Sequence, residues 1–123
     1  MRVVLRWLPA LLTGLFIFWL SSQTGPQLKQ VGLDKDEIHI VGHFWMFFVL
    51  SVCLYRAIKN PFIAVLISFI YAVTDEYHQT FVFGRSASLK DLLNDTLSAS
   101  AAALLIWKSY PKLPKILKNW LSV

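Results

Sequence analysis

Two acids, an imidazole and a carboxamide lie within one short run, Asp75, Glu76, His78 and Gln79, and Arg85 follows just after Gly84. Asp91, Asn94 and Asp95 come next. These are residue types for acid–base and anion chemistry. A carboxylate partly withdrawn from water holds its proton more tightly and can serve as general acid or base. A guanidinium matches the shape of a phosphate or carboxylate. On this reading Glu76 or Asp75 is the base, His43 or His78 the proton shuttle and Arg85 the anion holder, with Gln79, Asp91, Asn94 and Asp95 completing a binding surface. His43, His78, Glu76, Asp75 and Asp95 are also ligand types for divalent metals. They match no H-E-x-x-H helix, and Asp75 and His78 are only i, i+3, so the expectation is metal-free chemistry with no cofactor.

Other readings of these residues stay open. Asp91 follows Ser88 in an S-x-x-D pattern, a helix capping box that needs no catalysis. Arg85 could pair with Asp91 or with a lipid phosphate. His39 sits in an acidic stretch and reads as a solvated or helix-starting residue. His43 instead opens an apolar run with Phe44, Trp45, Phe47 and Phe48, aromatics that read first as interfacial belt and packing. The alternative to a functional role for Glu76 and Gln79 is a buried network that holds a bundle together.

The elements that must position these groups are apolar. Of 123 residues, 56% are hydrophobic and only 15% charged, with a mean hydropathy of +0.55. A soluble domain this small could not hide so much apolar surface, so the bilayer is the expected solvent. Four apolar segments are long enough to span, or nearly span, a hydrocarbon core of roughly 30 Å. They run from Trp7 to Leu20 with Pro9 in the first turn, from Gly42 to Tyr55, from Phe62 to Phe83, and from Leu89 to Trp107. Pro61, Gly84 and Pro111 punctuate them. The first segment could be a cleaved leader, but bulky Leu20 two residues before Ser22 fits a cleavage site poorly, so a retained helix is expected. The lone Cys53 allows no internal disulfide.

At about 100° per residue, Tyr71, Asp75, His78 and Gln79 share one arc of the third segment, with Glu76 at its edge. Asp91, Asn94, Asp95 and Ser98 form a polar stripe on the fourth, opposite Leu92, Leu93, Leu97, Leu104 and Leu105. Small residues Ser98, Ala99, Ala101 and Ala102 allow close approach to neighbours. His39 and His43 share a face if their helix begins early enough.

Charge orients the bundle. With both termini inside, the inner side holds Arg2, Arg6, Arg56, Lys59, Lys108, Lys112, Lys115 and Lys118, which is 8 of the 12 basic residues. All 7 acids and all 3 histidines fall on the other half. The positive-inside rule therefore predicts cytoplasmic termini and an outward-facing site. After Pro111, Leu113, Ile116, Leu117, Trp120 and Leu121 recur at helical spacing between Lys112, Lys115 and Lys118. That pattern predicts a short amphipathic helix on the inner leaflet. The net charge of +5 thus points to anionic lipid and not to nucleic acid. No oligomeric state follows from the sequence.

The block Asp75-Glu76-x-His78-Gln79-x-Phe81-Val82-x-Gly84-Arg85-Ser86, preceded by His43-Phe44 and followed by Asp91 and Asp95, resembles the VanZ-like family of small bacterial membrane proteins over residues 5 to 107. That family usually has proline where Phe83 stands, glycine where Ser98 stands, and an Arg-Lys pair where this chain has His39 and Ile40. Its founding member is associated with low-level resistance to teicoplanin, so the resemblance implies an envelope protein without making this chain a resistance determinant.

The expected architecture is an all-α integral membrane bundle of four transmembrane helices, a VanZ-like domain over residues 1–110, with a basic amphipathic cytoplasmic tail over 111–123. Two functions compete. One is a membrane enzyme or binding protein acting on a lipid-linked envelope component; the other is a non-enzymatic scaffold or partner-binding protein whose polar network is structural. A transporter fits less well, since no inverted repeat or broken helix is visible.

Overall fold

The computed structural model describes residues 1–123 and is all-α, 81% helical with no strands. The first helix, α1 (Arg2–Ser21), starts earlier than expected, so Pro9 lies inside it and not in its first turn. Proline lacks the N–H that would bond the carbonyl four residues back, here that of Leu5. Arg56 supplies the missing donor from another helix: its Nη1 reaches Leu5 O at 2.6 Å and Arg6 O at 3.1 Å. A short helix not expected from the sequence follows, α2 (Gly25–Gln30), set off by a Thr24–Gln27 capping box with Pro26 at its start.

The central helix is α3 (Asp36–Ile58), with Asp36 and Glu37 in its first turn, where the helix dipole favours acids. It begins early enough for His39 and His43 to share a face, their ring centroids 4.3 Å apart. Lys59 ends α3 at φ 64°, and the Asn60 side chain then caps α4 (Pro61–Gln79) by accepting from the Phe62 and Ile63 N–H groups. The third apolar segment was expected to run to Phe83. Tighter bonds from Thr80, Phe81 and Val82 to carbonyls three residues back close the helix sooner, and Gly84 turns the chain at φ +73°. Thus Phe81–Arg85 is loop. Ser88 caps α5 (Leu89–Ser109), and a 3₁₀ turn (Tyr110–Lys112) leads into α6 (Lys115–Ser122).

The hub of the fold is α3, which packs most extensively on α5 and also on α4 and α1. Ile17, Phe47, Leu50, Cys53, Leu54, Ala64 and Ala72 form the core. The small face of α5 is buried through Ser98, Ala99, Ala102 and Ala103, and two hydroxyls tie α3 to it: Ser51 donates to Ala99 O (2.8 Å) and Ser98 donates to Phe44 O. Leu93, Leu97, Leu104 and Leu105 point outward, whereas Leu92 packs against the core.

Two helices, α1 and α3, are long and apolar enough to cross a membrane, with hydropathies of 1.9 and 1.8. Of the four spans expected, only these two have that character; α4 and α5 carry Asp75, Glu76, Lys90, Asp91, Asp95 and Lys108 within their lengths. In α1 only Ala10, Ile17 and Ser21 are buried, while Leu8, Leu11, Leu12, Leu15, Phe16 and Trp19 are exposed. At the other end of the chain, α6 docks on α3. Arg56 donates from Nε to Trp120 O (2.7 Å) and lies 4.7 Å over the Trp120 ring, Lys59 donates to Leu121 O, and Leu121 is buried.

Candidate functional site

The polar residues of α3, α4 and α5 converge at one end of the bundle, beside the loop Thr80–Ser88 and the α1–α2 connection. At the centre, His43 Nδ1 faces both carboxylate oxygens of Asp95 at 3.3 Å, and both residues are almost wholly buried. Glu76 joins them, so that one ligand-type atom from each of His43, Glu76 and Asp95 lies within 4.8 Å of the others. Glu76 was expected at the edge of its arc, yet it points inward. Its Oε2 accepts from the Ser88 N–H at 2.8 Å, while Oε1 has no partner.

That bond changes the role of Asp91. In a full capping box the acid would reach back to the Ser88 N–H. Here Glu76 takes that donor, Ser88 Oγ accepts weakly from the Asp91 N–H (3.4 Å), and the Asp91 carboxylate is left 3.9 Å from His39 Nδ1. Capping is therefore only half of what Asp91 does.

The arc on α4 splits between neighbours. Asp75 accepts from Gln79 Nε2 (3.1 Å) and keeps Oδ1 unpaired, with both residues buried. His78 turns away from the central group and stacks on Phe18 of α1, ring centroids 4.5 Å apart, its Nδ1 unpartnered. Tyr71 donates to Gly14 O, tying α4 to α1. On α5, Asn94 donates to Ile40 O at 3.2 Å, a bond between helices.

Arg85 is held by neutral acceptors. Its Nη2 donates to His39 Nε2 at 3.0 Å and its Nη1 to Gln23 O at 3.4 Å. No lysine or arginine lies within 4 Å of any carboxylate; the close basic neighbours are imidazoles, His39 beside Asp91 and His43 beside Asp95. Burial lowers the Arg85 guanidinium from its ordinary value, and Asp75, Glu76 and Asp91 act in the opposite direction. His39, read from sequence as a solvated residue, is thus a half-buried partner of both Arg85 and Asp91. The i, i+4 spacing to His43 was the available signal.

Two cavities meet at Arg85. One, of about 180 Å³, is polar and lined by Asp34, Asp36, His39, Gln79, Gly84, Arg85, Ser86 and Asp91 among others. A smaller one, of about 90 Å³, is bounded by Ser21, His39, His43, Met46 and Arg85. The loop carrying Arg85 is clamped by two glycines. The Gly25 N–H donates to Phe83 O (3.0 Å), and a Cβ on Gly25 would lie 2.5 Å from Gly84 O. A third cavity, of about 420 Å³, is an apolar groove along α1 and α4, lined by Trp7, Leu11, Gly14, Leu15, Phe18, Leu54, Ile67 and Tyr71. Phe18, the residue that stacks on His78, links its wall to the polar end.

The arrangement offers an anion contact, buried carboxylates beside an imidazole, and an apolar groove nearby. No curated protein and no solved structure matches the chain. A family match extends over residues 6–111 and takes in every helix that builds the site, including Arg85 and the His43–Glu76–Asp95 group. Two helices long and apolar enough to cross a bilayer agree with a membrane protein, and the chain belongs to the VanZ/LLP1 family.

Proposed function

We propose that this chain is a multi-pass protein of the bacterial cell envelope in which α1, α3, α4 and α5 all cross the membrane, and whose outward-facing pocket takes the phosphate-bearing head of a lipid-linked cell-wall component. The observation that carries this reading is the bonding of Arg85. A half-buried guanidinium on neutral acceptors, lining a polar cavity, keeps its charge for an anionic ligand. The apolar groove between α1 and α4 supports a ligand with a hydrocarbon tail. The concentration of basic residues at the other end supports the orientation, and the α6 lysines fit anionic lipid there. If the pocket processes its ligand, Glu76 or Asp75 is the base and His43 the proton carrier. Teicoplanin susceptibility is the phenotype to expect from altered handling of such a component.

One observation favours the scaffold reading: Ser51, Asn94 and Ser98 all donate to carbonyls of neighbouring helices. Cells making wild type, Arg85→Ala or Glu76→Gln separate the two. Teicoplanin susceptibility, lipid-linked precursor pools and membrane abundance are measured together. Loss of the wild-type effect at unchanged abundance is expected. An unchanged effect in both variants refutes the binding site, and loss that tracks abundance is what a scaffold produces. For orientation, a cysteine at Ser86 is expected to react with an impermeant thiol reagent in intact cells; protection refutes the outward placement.

A further inference from the structure

We infer that His43, Glu76 and Asp95 bind one divalent first-row metal ion, zinc or manganese in type. The sequence gives no metal motif because the three come from three helices. In the fold they form a buried group whose ligand-type atoms lie within 4.8 Å of one another.

Three features point to an ion and not to a simple hydrogen-bonded network. The first is the His43–Asp95 spacing. A charge-assisted N–H···O bond is about 2.7–2.9 Å long. Here Nδ1 stands 3.3 Å from both oxygens, favouring neither. With metal–ligand bonds of about 2.1 Å, neighbouring ligands of a tetrahedral ion are separated by about 3.4 Å. The second is Glu76, 6% exposed, whose Oε1 has no partner although Oε2 is fixed by the Ser88 N–H. A bond from one oxygen to a backbone donor orients the other, as supporting contacts do around metals. The third is charge. Glu76 and Asp95 are both buried, no lysine or arginine lies within 4 Å of them, and the one basic group between them is the His43 imidazole beside Asp95. Buried carboxylates are normally paired with a cation or coordinate a metal.

One imidazole and two carboxylates suit zinc or manganese and leave a coordination position open; with the ion bound, His43 and Glu76 serve as ligands and Asp75 alone is left as the base. His43 and Arg85 bound the same small cavity, which brings one ligand of the group and the guanidinium to a common space. This extension shares its location with the proposed function but is tested without any substrate.

Full-length protein in detergent is stripped with a chelator and titrated with Zn²⁺, Mn²⁺ and Co²⁺. Wild type is expected to retain one Zn²⁺ or Mn²⁺ per chain, and its Co²⁺ form to show visible d–d absorption. Asp95→Asn and Glu76→Gln are expected to bind at least about tenfold more weakly, while Glu37→Gln, an exposed acid at the start of α3, is unchanged. Wild type that retains none of the three ions overturns the inference, and needs no variant to fold. Equal binding by wild type, Asp95→Asn and Glu76→Gln overturns it too. A teicoplanin effect that survives without metal binding removes the ion and leaves the proposed function; metal binding with Arg85→Ala phenotypically silent does the reverse.

Discussion

The glycine clamp that holds the Arg85 loop makes a sharp prediction. In Gly84→Ala the new residue must sit at φ +73°, and its Cβ would lie 3.0 Å from Gly25 Cα and 3.2 Å from Pro26 Cδ. The left-handed conformation alone costs about 1–2 kcal/mol. The Gly25 N–H bond to Phe83 O is lost on opening in wild type and variant alike, so it cancels from the comparison. A shift of about 1–2 kcal/mol towards the open state is a factor of roughly 5–30 in its population. Gly25→Ala reaches the same end by sterics alone, through the 2.5 Å approach to Gly84 O. Hydrogen exchange at the residue 25 amide, followed by mass spectrometry on detergent-solubilised protein, reads this directly. Exchange is expected to accelerate by that factor in each variant. Because both act by opening one contact, the double variant is expected to exchange no faster than the faster single. Unchanged exchange in both single variants, or strict additivity, would refute the clamp.

Three further outcomes follow from other contacts. Arg56→Ala removes hydrogen bonds to Trp120, Leu5 and Arg6 carbonyls and the Trp120 stacking, so α6 is expected to be released at a cost of about 3 kcal/mol or more, seen as faster tryptic cleavage at Lys115 and Lys118. Ser98→Ala leaves the Phe44 carbonyl without its hydroxyl donor and is expected to lower stability by about 1 kcal/mol, measured by denaturation in mixed micelles. Asp91→Asn keeps the backbone cap from Ser88 and is expected to leave α5 helicity by circular dichroism unchanged, while shifting the His39 imidazole resonances.

The four long helices are legible because each is a long apolar run between breakers. The short α2 is equally local, marked by Thr24, Pro26 and Gln27, but it lacks the apolar periodicity that draws attention to the others. Pro9 shows the limit of local reading. Whether a proline opens a helix or sits within it depends on who serves the orphaned carbonyl, and here that is Arg56, far along the chain. The site follows the same division. Asp75 and Gln79 pair within one helix, four residues apart, as their spacing implies. Glu76 meets Ser88, and His43 meets Asp95, only because α3, α4 and α5 pack together. His78 shares its sequence neighbourhood with the acids but spends its ring on Phe18, since α1 covers that side of α4.

Arg56 has a consequence for how the chain is assembled. One side chain from the middle of the sequence grips the carbonyls of Leu5 and Arg6 in the first helix and of Trp120 in the last. Its first two partners are made before it; Trp120 is made 64 residues later. At synthesis rates of about 5–20 residues per second, the guanidinium waits roughly 3–13 s for its final acceptor. During that interval the Pro9 end of α1 is held by a group that is itself only partly satisfied. The Arg56 grip that joins the first helix to the last is therefore complete only once the last helix has emerged.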